Sequence, residues 1–184
     1  IVQQAAHLGI GEIIGIDADS VEEENRHRLI GSSRFDVYLR RKKTKVMKRL
    51  VNSINRNVKF TPVPDAVPAQ TTIDQIKRAD IVIGCVDTLH TRSDIQEISQ
   101  RYLIPYIDIG LLITLDQDAQ FIGGNVLSLI PGRFCMWCIG FLSDRKLAEE
   151  TGGRPRSYFQ GASKQAQVVS FNGLLASAAM NEML

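Results

Sequence analysis

Three short apolar runs, the first two delivering a carboxylate at the C-terminal end, set the strongest limit on how this chain folds. They are Glu12-Ile13-Ile14-Gly15-Ile16-Asp17, Ala79-Asp80-Ile81-Val82-Ile83-Gly84-Cys85-Val86-Asp87 and Ile104-Pro105-Tyr106-Ile107-Asp108-Ile109. Each lacks the alternation of a half-exposed strand and fits a buried parallel one. The segments between them carry helical spacing. Val46, Leu50, Val51 and Ile54 mark a helix over 43–54, Ile73–Arg78 reads as a short helix, and residues 89–102 form another. Val58–Val63 adds a strand. This alternation predicts an α/β protein with a doubly wound, Rossmann-like, mostly parallel sheet. Ligands of such sheets sit beyond the C-terminal strand ends, where Asp17 and Asp87 fall.

The rhythm changes after residue 110. Leu111–Leu115 and Ala119–Ile130 read as added antiparallel strands in a meander. Residues 141–164, with Gly152-Gly153 and Pro155, read as a mobile crossover loop. Gln165–Leu184 reads as a helix with Val168, Phe171, Leu175, Ala178 and Ala179 on or near one face. At the other end, Ile1, Ala5 and Leu8 share a helical face that Gly9 is placed to end. The chain thus starts as if inside a helix already under way.

A formal net charge of +2 over 184 residues is too weak to make nucleic acid or an anionic membrane the main partner. The basic run Arg40-Arg41-Lys42-Lys43 reads on composition as a solvated face. Three cysteines, Cys85, Cys135 and Cys138, do not suggest a disulfide framework, so a cytoplasmic setting is expected. No apolar stretch approaches the length of a membrane span.

The richest cluster follows the first strand: Asp17-Ala18-Asp19-Ser20-Val21-Glu22-Glu23-Glu24-Asn25-Arg26-His27-Arg28. A carboxylate at such a strand end can accept both ribose hydroxyls. By position alone, a turn-starting Asp is an equal reading. The spacing Asp17, Asp19, Val21, Asn25, Arg28 resembles the ThiF/MoeB/HesA family, whose stretch runs roughly D-x-D-x-V-x-x-x-N-x-x-R. The resemblance continues through Asp36-Val37, Ile54-Asn55, Gly84-Cys85-Val86-Asp87, Pro131-Gly132 and Val168–Gly173, and so spans the chain as one adenylation domain over 1–184.

The resemblance implies an ATP-dependent adenylyltransferase that activates the C-terminal carboxylate of a ubiquitin-like carrier protein or peptide. Asp17 would hold the ribose and Asp19 would fix the loop. Asn25 and Arg28 would face the phosphates, and a forked guanidinium suits that work. Counting back from Asn55 makes Lys43 the phosphate lysine, while counting forward from Asp36-Val37 keeps Lys42 and Lys45 open. Asp87 would coordinate Mg²⁺, which favours one or two carboxylates plus phosphate oxygens. Arg28, Lys43 and Asp87 are thus the implied catalytic residues. Arg92, in the next helix, reads as structural, and Cys85 reads as core.

Cys135-Met136-Trp137-Cys138 supplies half of a four-thiolate Zn²⁺ site. Some family members carry a second pair near the C-terminus; here no second pair follows, and the favoured reading is no zinc. Residues 141–164 contain no cysteine for a thioester. The family's phosphate loop, G-x-G-x-x-G, and the strand before it would precede Ile1. The expectation is therefore an N-terminally incomplete domain, inactive alone, whose first strand lies upstream. Relatives suggest a homodimer. Two alternatives stand beside catalysis. A non-catalytic partner subunit of an activating complex would lack the phosphate loop, whereas a nicotinamide dehydrogenase would suit Asp17 but not Asn25, Arg28 and the later lysine.

Overall fold

A computed structural model describes residues 1–115, 120–152 and 167–184. The first elements are α1 (Val2–Leu8), β1 (Glu12–Ile16), α2 (Glu23–Arg26), α3 (Arg34–Tyr38), α4 (Lys43–Ile54), β2 (Lys59–Val63) and α5 (Gln70–Ile76). Then come β3 (Val82–Gly84), α6 (Leu89–Arg101), β4 (Tyr106–Leu115), β5 (Gln120–Leu129), α7 (Asp144–Thr151) and α8 (Gln167–Met183). The described chain is mixed α/β, with parallel and antiparallel pairing. It divides into two compact units, one built from residues 1–75 with 164–182, the other from 76–163.

In the first unit β1 and β2 pair in parallel, from Glu12 opposite Lys59 to Ile16 opposite Val63. The periodicity of α4 turns Val51 inward, where it joins Ala6 of α1, Val58 and Phe60 in one buried cluster. Val2, Ile13, Met47 and Ile54 complete that cluster. Gly9 ends α1 at φ 77°, a left-handed position where glycine has no Cβ to clash. In α8, Leu175 and Ala179 are buried as the spacing predicts, and Ala176 and Met180 join them. Ala178 faces outward.

In the second unit β3 pairs in parallel with β4, and β4 pairs antiparallel with β5. The antiparallel pair is a single ten-residue ladder, from Tyr106 opposite Leu129 to Leu115 opposite Gln120. Thr88 caps α6, its Oγ1 accepting the Thr91 N–H. Ile95 and Ile98 of α6 are buried, as are Ile104, Ile107, Met136 and Leu142.

The departures from expectation are local. The strands among the described residues form two sheets, β1-β2 and β3-β4-β5, rather than one. The run 79–87 pairs only over Val82–Gly84, because the ladder to β4 stops where Gly84 meets Asp108. Cys85 lies past that end and is exposed, not core. Residues 18–35, which carry no apolar periodicity, contain the short helices α2 and α3, each held by a capping box. Part of the expected loop 141–164 is α7, started by Ser143, whose Oγ accepts the Lys146 N–H. Residues 116–119 and 153–166 lie outside the described residues.

Candidate functional site

Asp17 follows β1 directly, and its N–H donates to the Val63 carbonyl at 3.1 Å, so the end of β2 fixes its backbone. One carboxylate oxygen accepts the Asp19 N–H at 2.8 Å. Burial pushes the Asp17 carboxyl above its ordinary value, opposed by that N–H and by the nearby Lys43 charge. The carboxylate sits at the strand's C-terminal end, as the sequence reading requires.

The chain then returns alongside itself. Ser20 and Lys42 form an antiparallel bridge. The Val21 N–H donates to the Arg41 carbonyl at 2.8 Å, and the Lys43 N–H donates to the Asp19 carbonyl at 3.0 Å. Lys43, first residue of α4, sends its Nζ to Asp19 Oδ2 at 2.6 Å. Lys42 Nζ donates to the Ala18 carbonyl at 2.7 Å. Lys45 is exposed and makes no such contact among the described residues. Of the three lysines left open, the structure brings Lys42 and Lys43 to the Asp17–Asp19 loop, and Lys43 alone pairs with its acid.

Asn25 and Arg28 follow on the same loop. Asn25 Oδ1 accepts the Glu22 N–H at 3.0 Å in the capping box of α2. That engages the acceptor and leaves the amide donors facing no partner among the described residues. Arg28 is exposed and has no ion pair among the described residues.

A buried node supports this loop. Asp36 is fully buried and accepts from the Ser33 N–H and Oγ, at 2.8 and 2.7 Å, and from both Arg49 terminal nitrogens, at 2.9 and 2.6 Å. Arg41 stands 3.3 Å away. Arg49 first and then Ser33, against the opposing effect of burial, hold the Asp36 carboxyl far below the usual carboxylate range. Arg49 also donates to the Gly31 carbonyl at 2.7 Å, tying α4 to the segment just after Arg28. The sequence reading passed over this node. Its signal was Ser33-x-x-Asp36, a capping-box spacing. It also passed over a depression of about 330 Å³ beside the end of β2, lined by residues that include Val63, Pro64, Asp65 and Thr71.

Asp87 stands in the second unit, between the end of β3 and the cap of α6. It is exposed and has no ion pair among the described residues. A free, hard carboxylate of this kind fits a magnesium ion that takes its remaining ligands from phosphate and water. Arg92 is buried and pairs with Asp108 at 2.6 Å, so it is engaged within the protein. Cys135 and Cys138 are free thiols with sulfurs 2.9 Å apart. The Cys135 thiol is lowered from its ordinary value, first by its contact with Cys138. A structural zinc needs four donors, and the described residues hold no group of three or more.

The architecture is of the Rossmann-like α/β class, with acids at the ends of its strands. The model of the ThiF family matches residues 1–184, and the chain belongs to that family. It is 27% identical over 137 residues to the sulfur carrier protein ThiS adenylyltransferase of Escherichia coli, covering 72% of this chain and 51% of that protein. It is 28% identical over 121 residues to the adenylyltransferase and sulfurtransferase UBA4 of Kluyveromyces lactis, covering 66% of this chain and 27% of that one. Among solved structures, E. coli MccB with ATP superposes at a TM-score of 0.70 and 24% identity, over 98% of this chain and 49% of MccB. That likeness is one of fold. The chain spans about half or less of the length of these relatives.

Proposed function

We propose that the protein adenylates the C-terminal carboxylate of a ubiquitin-like carrier protein or a peptide, consuming ATP and releasing pyrophosphate. The observation that carries this reading is the Asp17–Asp19–Lys43 arrangement, which joins a strand-end carboxylate to a lysine opening a helix. A dehydrogenase needs the first and has no use for the second. Asp17 holds the ribose hydroxyls. Lys43, Arg28 and the Asn25 amide face the phosphates, with the positive end of α4 adding to the lysine charge. Asp87 supplies a carboxylate to the magnesium that neutralises the triphosphate. In the reaction the carrier's carboxylate oxygen attacks the α-phosphorus, the bond to the β-phosphate oxygen breaks, and pyrophosphate leaves with the bond pair. No protein nucleophile is needed, so the residues act by positioning and by stabilising charge.

The relatives support this reading by their own names. One is an adenylyltransferase for ThiS, and another is a SAMP-activating enzyme E1 from Haloferax volcanii. MccB has been solved with ATP and with MccA. The test is exchange of labelled pyrophosphate into ATP, in the presence of a panel of small ubiquitin-like carriers and short peptides with free carboxylates. Exchange is expected with at least one class and is expected to fall at least about 100-fold in Arg28→Ala and Asp87→Ala, the size of losing one charge-stabilising donor. Full exchange in either variant removes that residue from its role. Tight ATP binding without exchange for any member favours a non-catalytic partner subunit.

A further inference from the structure

Among the described residues of the second unit, the most deeply buried charges lie outside the residues given roles above. Arg92 is 7% exposed, Asp108 0% and Tyr106 1%. Arg92 Nη1 donates to Asp108 Oδ2 at 2.6 Å. Its Nη2 donates to the Val86 carbonyl at 2.8 Å and reaches the Ile109 carbonyl at 3.4 Å. The Phe141 ring covers the guanidinium at 5.6 Å. Tyr106 Oη donates to the other Asp108 oxygen at 2.7 Å. Two glycines make room for the cluster. A Cβ at Gly84 would meet Tyr106 Oη at 2.5 Å, and one at Gly110 would meet Arg92 Nη1 at 2.9 Å.

Burying an ion pair is a poor route to stability, since well-packed apolar residues serve as well or better. What this cluster adds is position. The β3–β4 ladder ends at Gly84 opposite Asp108, two residues short of Val86. Beyond that end the Val86 carbonyl is held by the Arg92 fork instead of a neighbouring strand. Asp87 follows at once, and Thr88 then caps α6. Asp87 is therefore flanked by two fixed backbone points while its own carboxylate stays free. The guanidinium suits the task because one planar group satisfies the acid and the carbonyl together, which an ammonium does not do in the same geometry.

We propose that Arg92 and Asp108, with Tyr106 behind them, are positioning residues for Asp87: the clamp on the Val86 carbonyl sets where the Asp87 carboxylate meets a divalent cation carried by nucleotide phosphates. This rests on the metal-binding role given to Asp87 above. Arg92 and Asp108 do not touch the cation, and they act as residues behind a metal ligand act, by fixing its aim.

The test reads the rise in unfolding temperature produced by ATP while Mg²⁺ is titrated, for the wild-type protein and for Arg92→Lys, Asp108→Asn, Tyr106→Phe and Asp87→Asn. The readout is the Mg²⁺ concentration giving half the ATP-induced rise. Arg92→Lys and Asp108→Asn are expected to move it upward about tenfold, with the full rise recovered at saturating Mg²⁺. Tyr106→Phe, which loses one hydroxyl, is expected to shift it less in the same direction, and it carries the test if the other two do not fold. A purely structural cluster would lower the unfolding temperature without ATP and leave the Mg²⁺ midpoint alone, and that result overturns the proposal. Asp87→Asn separates the two levels. If it leaves the midpoint unchanged, the metal role of Asp87 fails and the clamp's role with it. If it abolishes the Mg²⁺ dependence while the other variants keep the wild-type midpoint, the clamp alone fails.

Discussion

Arg40 holds its backbone at φ 45°, a left-handed conformation that crowds the Cβ of any residue other than glycine. It sits three residues before Lys43, at the turn that closes α3 and opens toward α4. The Arg41 N–H, bonded to the Asp36 carbonyl at 2.9 Å, holds the turn in place despite the strain. Arg40→Gly is expected to stabilise the protein by roughly 0.5–1 kcal/mol, read as a higher denaturant midpoint with an unchanged slope. A loss of stability would mean that the arginine side chain holds the turn. The basic run illustrates how one segment can carry three meanings. Arg40 faces solvent, Arg41 leans on buried Asp36, and Lys42 and Lys43 turn to the Asp17–Asp19 loop. Composition sees four like charges. What separates them is the bridge between residues 19–21 and 41–43, a contact across more than twenty residues that no local pattern encodes.

Among the elements, α3 and α4 are joined through the Asp36–Arg49 pair, and this joint has a defined acid response. Asp36 ionises far below its ordinary value of 3.8, chiefly through Arg49. A lowered carboxyl contributes stability that is fully present above the unfolded-state value and is lost as the pH falls toward the folded-state value. Asp36→Asn is therefore expected to cost roughly 2 kcal/mol near neutral pH. It should also flatten the loss of stability between about pH 4 and pH 2. Denaturant titrations across that range check both, and an acid limb as steep as wild type would contradict the assignment. The long elements were legible because their signals are periodic. Helix 43–54 appears with the bounds read from Val46, Leu50, Val51 and Ile54. The short ones were not. The four and five residues of α2 and α3 are too few to show a period, and capping side chains define them instead. β3 was read long because hydrophobicity continues to Val86, whereas pairing ends at Gly84.

Across the whole molecule, the α/β class, the order of the longer elements and the family were readable from the sequence, since strand-end acids and the spacing Asp17, Asp19, Asn25, Arg28 survive without any geometry. The Asp36 node and the Arg92–Asp108–Tyr106 cluster were hidden, because each joins residues distant in sequence whose types are unremarkable one by one. The residues given proposed roles fall in both units, Asp17, Arg28 and Lys43 in the first and Asp87 in the second. That division makes nucleotide identity the most direct question. Calorimetric titration of Mg·ATP into the wild-type protein and into Lys43→Ala, with NAD titrated in parallel, answers it. The account predicts saturable one-site binding of ATP, weakened at least about tenfold by Lys43→Ala, as expected for losing a charged contact to phosphate, and no binding of NAD. Binding of NAD in place of ATP, or ATP affinity unchanged in Lys43→Ala, would contradict it.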